Sequence, residues 1–249
     1  MQLAGKVCLV TGGTRGIGAA AAIAFAEQGA AVSIVGRHED DDARQTLQSL
    51  RGLNSRCICL LGDMARGEDC RRVVQQTVER LGGLDVLVHA AGGPVPGDLM
   101  QLTDEAWYQA FDVHVHAIFH LVRAAIPHMK PRKEGAIILI GSTAGIRAIR
   151  TAVAYQAVKG AIPQLTRALA WQFADDNIRV NCVNPGVVRT RFHESMTEQS
   201  RRNNIENRIP LHREGTPGQI ATVIRELVTN DYITGESVVV DGGLTMRIC

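Results

Sequence analysis

Aromatic residues supply only 4% of this 249-residue chain, and neither sign of charge dominates: 27 Lys plus Arg stand against 25 Asp plus Glu, a net charge of +2. A near-neutral chain without a basic run lacks the electrostatic footprint of a nucleic-acid binder, which leaves small molecules or other subunits as partners. Long hydrophobic runs are missing too. The first apolar stretch, residues 7–10, is far shorter than a membrane span of roughly 20 residues or the core of an export signal, so no membrane association and a cytoplasmic location are expected. Cysteines form no paired framework: Cys8, Cys57, Cys59, Cys70, Cys182 and Cys249 read as reduced thiols. Also absent are linkers, low-complexity tracts and internal repeats, so residues 1–249 read as one domain.

What is present is an alternation. Apolar, β-branched runs at 7–10, 31–35, 56–61, 86–89, 136–140, 179–183 and 237–240 are separated by stretches of helical character at 16–29, 41–52, 67–82, 103–129, 155–176 and 217–229. Strands this apolar must be covered on both faces, which predicts a Rossmann-like, doubly wound α/β fold with a seven-stranded parallel sheet. Only 186–214 breaks the period, with charged residues crowding in, and a long aperiodic insertion after a strand end is where a substrate lid is expected.

The first strand runs into Thr11-Gly12-Gly13-Thr14-Arg15-Gly16-Ile17-Gly18 and then an Ala-rich helix. Glycines permit a tight turn and close approach to a pyrophosphate, and the helix start offers free N–H groups and its positive dipole end. The spacing, Gly12, Gly16 and Gly18, departs from the common Gly-x-Gly-x-x-Gly, but its place at the first strand-to-helix turn is the required one. Where NAD-binding sheets put a carboxylate after the second strand, this chain has Gly36-Arg37. A guanidinium there favours a 2′-phosphate, with Arg15 placed to close on it, and predicts NADP(H) over NAD(H).

Tyr155 and Lys159 are four apart at a helix start and share a face. A phenol with a free pKa of about 10 becomes a better acid-base group when an ammonium favours its ionised form. Ser142 follows an apolar strand, on the sheet edge where open parallel sheets bind ligands, so it can meet that tyrosine.

With these motifs in order, the sequence resembles the short-chain dehydrogenase/reductase family over essentially its whole length. The matching pieces are the glycine turn, Asp63, Ala91-Gly92, Ser142, Tyr155-x-x-x-Lys159, Asn184-Pro185-Gly186 with Thr190, Pro210-Leu211, Gly215-x-Pro217, Tyr232-Ile233-Thr234-Gly235 and Asp241-Gly242-Gly243. The resemblance implies that Tyr155 is the general acid/base, that Lys159 bonds the nicotinamide ribose and lowers the tyrosine pKa, and that Ser142 holds the substrate oxygen. It also implies that the residues from Gly12 to Gly18 (Thr14, Arg15, Gly16 and Ile17 included) hold the dinucleotide together with Ala91 and Gly92. Asp63 and Met64 would touch the adenine, and Pro185, Gly186, Val188 and Thr190 the carboxamide.

The chain departs from the pattern in three places. His89-Ala90 replaces two amides that brace the fourth strand, which puts the stability of that edge in question. His114 stands where an Asn links Lys159 through water to solvent; a histidine hydrogen-bonds water and titrates near neutrality, or else simply packs between helices. Pro163 lies within the helix of Tyr155 and predicts a kink or loosening there. His116, His120 and His128 share the segment of His114, but no Cys or carboxylate completes a ligand set, so no metal is expected.

The expected activity interconverts a secondary alcohol and a ketone on a small polar substrate of sugar or polyol type; the arginines of 186–214 also suit a carboxylate or phosphate. The alternative is a 3-oxoacyl-acyl-carrier-protein reductase, whose carrier Lys130, Arg132 and Lys133 would attract and Asp175-Asp176 repel. A reading of another class, a non-catalytic dinucleotide-binding regulator, runs against intact Ser142, Tyr155 and Lys159. Relatives are commonly dimers or tetramers, and Ala110, Phe111, Ile118, Phe119, Val122, Leu165, Leu169 and Phe173 serve either core or subunit interface.

Overall fold

Each apolar run becomes a strand: β1 (Val7–Thr11), β2 (Ala31–Gly36), β3 (Ile58–Leu61), β4 (Val86–His89), β5 (Gly135–Ile140), β6 (Ile178–Pro185) and β7 (Ser237–Val240). The computed structural model describes residues 1–194 and 196–246; Cys249 and, within the aperiodic insertion, Ser195 lie outside the described residues. All strand pairs are parallel, in the order β3-β2-β1-β4-β5-β6-β7. This is the Rossmann-like, single-domain α/β architecture expected from the alternation.

Side chains alternate across the sheet. Leu9, Leu87, Ile137 and Leu139 face α3 (Gly67–Leu81), α5 (Ala117–Met129) and α6 (Val153–Phe173). Cys8, Val10, Val88 and Ile138 face α1 (Gly16–Ala26) and α8 (Pro217–Thr229). Truncating a fully buried leucine such as Leu87 to alanine costs about 2–5 kcal/mol. Helix α2 (Asp41–Leu53) starts where the Asp40 carboxylate accepts the Ala43 N–H at 3.0 Å, and α8 starts with a reciprocal Thr216/Gln219 cap.

The single helix expected over 103–129 is instead α4 (Asp104–Phe111), a π-helical turn (Asp112–His116) and α5. Helix α6 runs without a break across Pro163. Pro163 withholds only the N–H that would serve the Lys159 carbonyl, and Gly145 packs there, where a Cβ would overlap that oxygen. The 186–214 segment carries local structure as well: a tight turn at Arg191–His193, α7 (Glu198–Asn203) and a second π turn, Asn204–Arg208.

Ala110, Ile118 and Val122 are buried, Leu165, Leu169 and Phe173 pack partly against the core, Phe111 joins a small cluster with Ala154 and Val158, and Phe119 is exposed. Cys8, Cys57, Cys59, Cys70 and Cys182 are free thiols. No described helix is long and apolar enough to cross a membrane.

Candidate active site

The carboxyl ends of the strands open into one cavity of about 1890 Å³, crossing the point between β1 and β4 where the strand order reverses. Gly12 turns there with φ +64°, and a Cβ on it would sit 2.7 Å from the Ala91 nitrogen, so the β1 and β4 loops touch only because residue 12 is glycine. Gly18 fits against the Gly12 carbonyl with no room for a side chain. Helix α1 begins after Arg15 without a side-chain cap, which leaves its first N–H groups facing the cavity for an anion. These features fit a dinucleotide.

Gly12, Thr14, Gly16, Ile17 and Gly18 border this cavity, as do Asp63, Met64, Ala91, Gly92, Pro185, Gly186, Val188 and Thr190. Arg15 and Arg37 border it too, in different states. Arg15 pairs with Asp40 and with Asp42, the latter at 3.2 Å, and Asp42 also holds Arg191 at 3.0 Å. Arg37 is exposed and has no ion-pair partner among the described residues.

Ser142, Tyr155 and Lys159 meet at the end of β5. The Ser142 N–H donates to Asn184 Oδ1 at 3.2 Å, and the Asn184 amide donates to Ser237 Oγ at 2.7 Å, so a fully buried asparagine from β6 fixes the serine turn. Lys159 donates to the Ile140 carbonyl at 2.7 Å and lies 5.7 Å from the centre of the Tyr155 ring. Burial pushes the Tyr155 phenol up to about 12, opposed by its hydrogen bond with Ser142, and burial draws Lys159 down to about 8. The expected lowering of the tyrosine by its lysine is absent in this state, because the ammonium serves a carbonyl and lies over the ring.

His114 sits in the π turn with 2% exposure, its ring edge-on to Tyr155 at 5.8 Å between centroids. Its Nε2 donates to the Gly93 carbonyl at 3.1 Å, while Nδ1 is buried without a partner. Gly92 makes room for it: a Cβ there would enter the imidazole ring. Burial first, then Lys159 and His89, draws its pKa down to about 2, so it stays neutral and does not titrate near neutrality.

His89 corrects the expectation of an unbraced fourth strand. Its Nδ1 accepts from Thr11 Oγ1 at 2.9 Å and its Nε2 donates to the Val113 carbonyl at 3.1 Å, so one imidazole ties β1, β4 and the π turn together. His116 bonds Asp112 at 2.8 Å and His120 contacts Arg71 at 3.4 Å. Among the described residues no three His, Cys, Asp or Glu side chains gather as metal ligands.

Phe192, which no sequence pattern marked, lies on Tyr155 at 5.7 Å between ring centres and closes the cavity from the 186–214 side. Asn184 was visible in its Asn-Pro-Gly motif, but its role rests on contacts with distant Ser142 and Ser237.

A family model described as enoyl-(acyl carrier protein) reductase matches residues 12–245. Dehydrogenase/reductase SDR family member 4 of Oryctolagus cuniculus is 36% identical, over 99% of this chain and 96% of the relative. The 3-oxoacyl-acyl-carrier-protein reductase FabG of Thermotoga maritima is 32% identical, over 99% of this chain and all of the relative (100%). Among solved structures, a blue fluorescent protein from a metagenomic library in complex with NADPH superposes with a TM-score of 0.92 at 33% identity, covering 98% of this chain and 100% of that one. The chain belongs to the short-chain dehydrogenase/reductase family, whose members are NAD(P)-dependent oxidoreductases acting on CH–OH groups.

Proposed function

We propose that the protein is an NADP(H)-dependent enzyme that interconverts a small polar secondary alcohol and its ketone, with 186–214 as the substrate lid. The observation that carries this reading is the meeting of Ser142, Tyr155 and Lys159 in the cavity that also holds the glycine turn. When bound, the nicotinamide supplies or accepts the hydride. Ser142 then orients the substrate oxygen by hydrogen bonding, and Tyr155 gives that oxygen its proton in reduction or takes it in oxidation. Lys159 is placed to bond the cofactor ribose. On leaving the Ile140 carbonyl it brings its charge towards the phenol and lowers the phenol pKa from its raised resting value. His114 Nδ1, buried and free to accept, receives a hydrogen bond from a water in the proton path.

The NADP(H) preference rests on Arg37, the cation without a carboxylate at the adenosine end, and is supported by the NADPH complex of the metagenomic neighbour. A carrier-protein substrate is disfavoured because Lys130 pairs with Asp176 at 3.0 Å, Arg132 with Asp85 at 2.8 Å, and Lys133 donates to the Asp175 carbonyl at 3.5 Å. These residues precede β5, at the opposite sheet edge from the cavity. A cytoplasmic homo-oligomer, dimer or tetramer, fits the free thiols and the exposed Phe119 and Trp171 on α5 and α6.

The test is a Tyr155→Phe variant assayed for NADPH-dependent reduction of small ketones. Turnover is expected to fall about 10²- to 10⁴-fold while NADPH binding, read by fluorescence, persists. Undiminished turnover overturns the assignment.

A further inference from the structure

The cations around the cavity are not equivalent. Arg15 and Arg191 are held by Asp40 and Asp42, and Arg189 pairs with the buried Glu214 at 3.2 Å. Lys159 serves a backbone carbonyl, and Arg37 stands at the adenosine end. Arg147 and Arg208 remain: both border the cavity, and neither has a carboxylate within ion-pairing distance among the described residues. Among the described residues the carboxylates lining the cavity are Asp42 and Asp63, both on the adenosine side, so no described carboxylate in the substrate half balances these two guanidiniums.

Each is presented by a shaped piece of backbone. Arg147 ends the turn that starts at Ser142, its N–H donating to the Thr143 carbonyl at 2.9 Å and its guanidinium reaching only the Ile146 carbonyl, at 3.3 Å. Arg208 closes the π turn Asn204–Arg208, and its Nη1 donates to Oδ1 of Asn204, a side chain with 3% exposure, at 2.7 Å. Single π turns in helices concentrate at functional sites. The other one among the described residues holds His114 against Tyr155. Two forked cations in a cavity half without carboxylates raise the local concentration of anions, and guanidinium geometry matches carboxylate and phosphate oxygens.

We propose that Arg147 and Arg208 form the anion-recognition end of the substrate pocket, so that the substrate is a ketone or secondary alcohol bearing a carboxylate or phosphate group. This rests on the oxidoreductase reading above and narrows its substrate class.

Matched pairs of ketones isolate the charge: acetoacetate against methyl acetoacetate, and dihydroxyacetone phosphate against dihydroxyacetone, with NADPH oxidation followed for each. The charged member is expected to show a kcat/KM at least about 10-fold higher in one pair, and that pair tells carboxylate from phosphate. In Arg147→Gln and Arg208→Gln the charged-to-neutral ratio falls towards one, Arg208→Lys restores part of it, and Arg202→Gln, on the same segment but outside the cavity lining, keeps it. A binding readout accompanies the kinetics: acetate or inorganic phosphate added to the NADP-saturated protein raises its Tm in the parent and not in the Arg147→Gln/Arg208→Gln double variant. Equal or better use of the neutral members, ratios unmoved by the substitutions, or no anion-dependent Tm shift overturns the inference. Reduction of neutral diacetyl in that event keeps the oxidoreductase reading standing, whereas diacetyl turnover unaffected by Tyr155→Phe overturns that reading instead.

Discussion

His89 and His114 each bind backbone beside the other: His89 Nε2 reaches the carbonyl of Val113, and His114 Nε2 reaches the carbonyl of Gly93, both at 3.1 Å. Carbonyls only accept, so both rings carry their proton on Nε2. His89 Nδ1 then accepts from Thr11, and His114 Nδ1 is left as a bare acceptor beside Tyr155. Two imidazoles thus lace the end of β4 to the π turn where relatives use amides, and burial holds both neutral.

Acid should therefore loosen the protein at this point. Burial first, then Lys159, draws His89 down to about 4, and His114 lies at about 2, against roughly 6.5 in an unfolded chain. A folded-state pKa below the unfolded one means that the unfolded chain binds more protons below pH 6.5, so this stability is present at neutral pH and drains away as pH falls. Urea unfolding at pH 7 and pH 5 should differ by about 2 kcal/mol for each histidine, and a His89→Asn/His114→Asn variant should lose most of that pH dependence.

Gly145→Ala should damage catalysis through the backbone. Its Cβ would overlap the Lys159 carbonyl that Pro163 leaves without a helical donor, pushing the Ser142 turn away from α6. Overpacking of this kind costs about 1–3 kcal/mol, and kcat should fall at least about 10-fold while NADPH still binds; calorimetry and steady-state kinetics read the two effects.

Removal of Phe192 tests how far its ring dries the phenol. Phe192→Ala admits water beside Tyr155, whose pKa is raised chiefly by burial, so the tyrosine limb of the pH–rate profile should move to lower pH. The Tm should change little, because Phe192 is only half-buried.

Arg37→Ala should weaken NADPH binding about 10- to 100-fold, the worth of a hydrogen bond to a charged group, and leave NADH binding unchanged. Titration calorimetry with both cofactors decides it.

Much of this was legible in the chain because it is local. The strands announce themselves as runs such as 136–140, and the glycine turn, Ser142, Tyr155 and Lys159 sit at fixed offsets from element ends. The unreadable parts depend on partners far away in sequence. His89 becomes a brace only when Thr11 and Val113 arrive beside it, and Asn184 reaches Ser142 across 42 positions. The π turn at Asp112–His116 hides because one extra residue in a helical stretch barely disturbs its hydrophobic period. The raised resting pKa of Tyr155 hides for a similar reason: spacing puts Lys159 on the face of Tyr155 but does not show that its ammonium donates to the Ile140 carbonyl.

Arg15 makes the adenosine end behave as an ion exchanger. With Asp40 and Asp42 already on it, and Asp42 shared with Arg191 of the 186–214 segment, a phosphate reaching Arg15 would have to displace a resident carboxylate. An anion that took Arg15 away from Asp42 would leave that carboxylate to Arg191 alone, so the ion pair that anchors the 186–214 segment depends on what Arg15 holds.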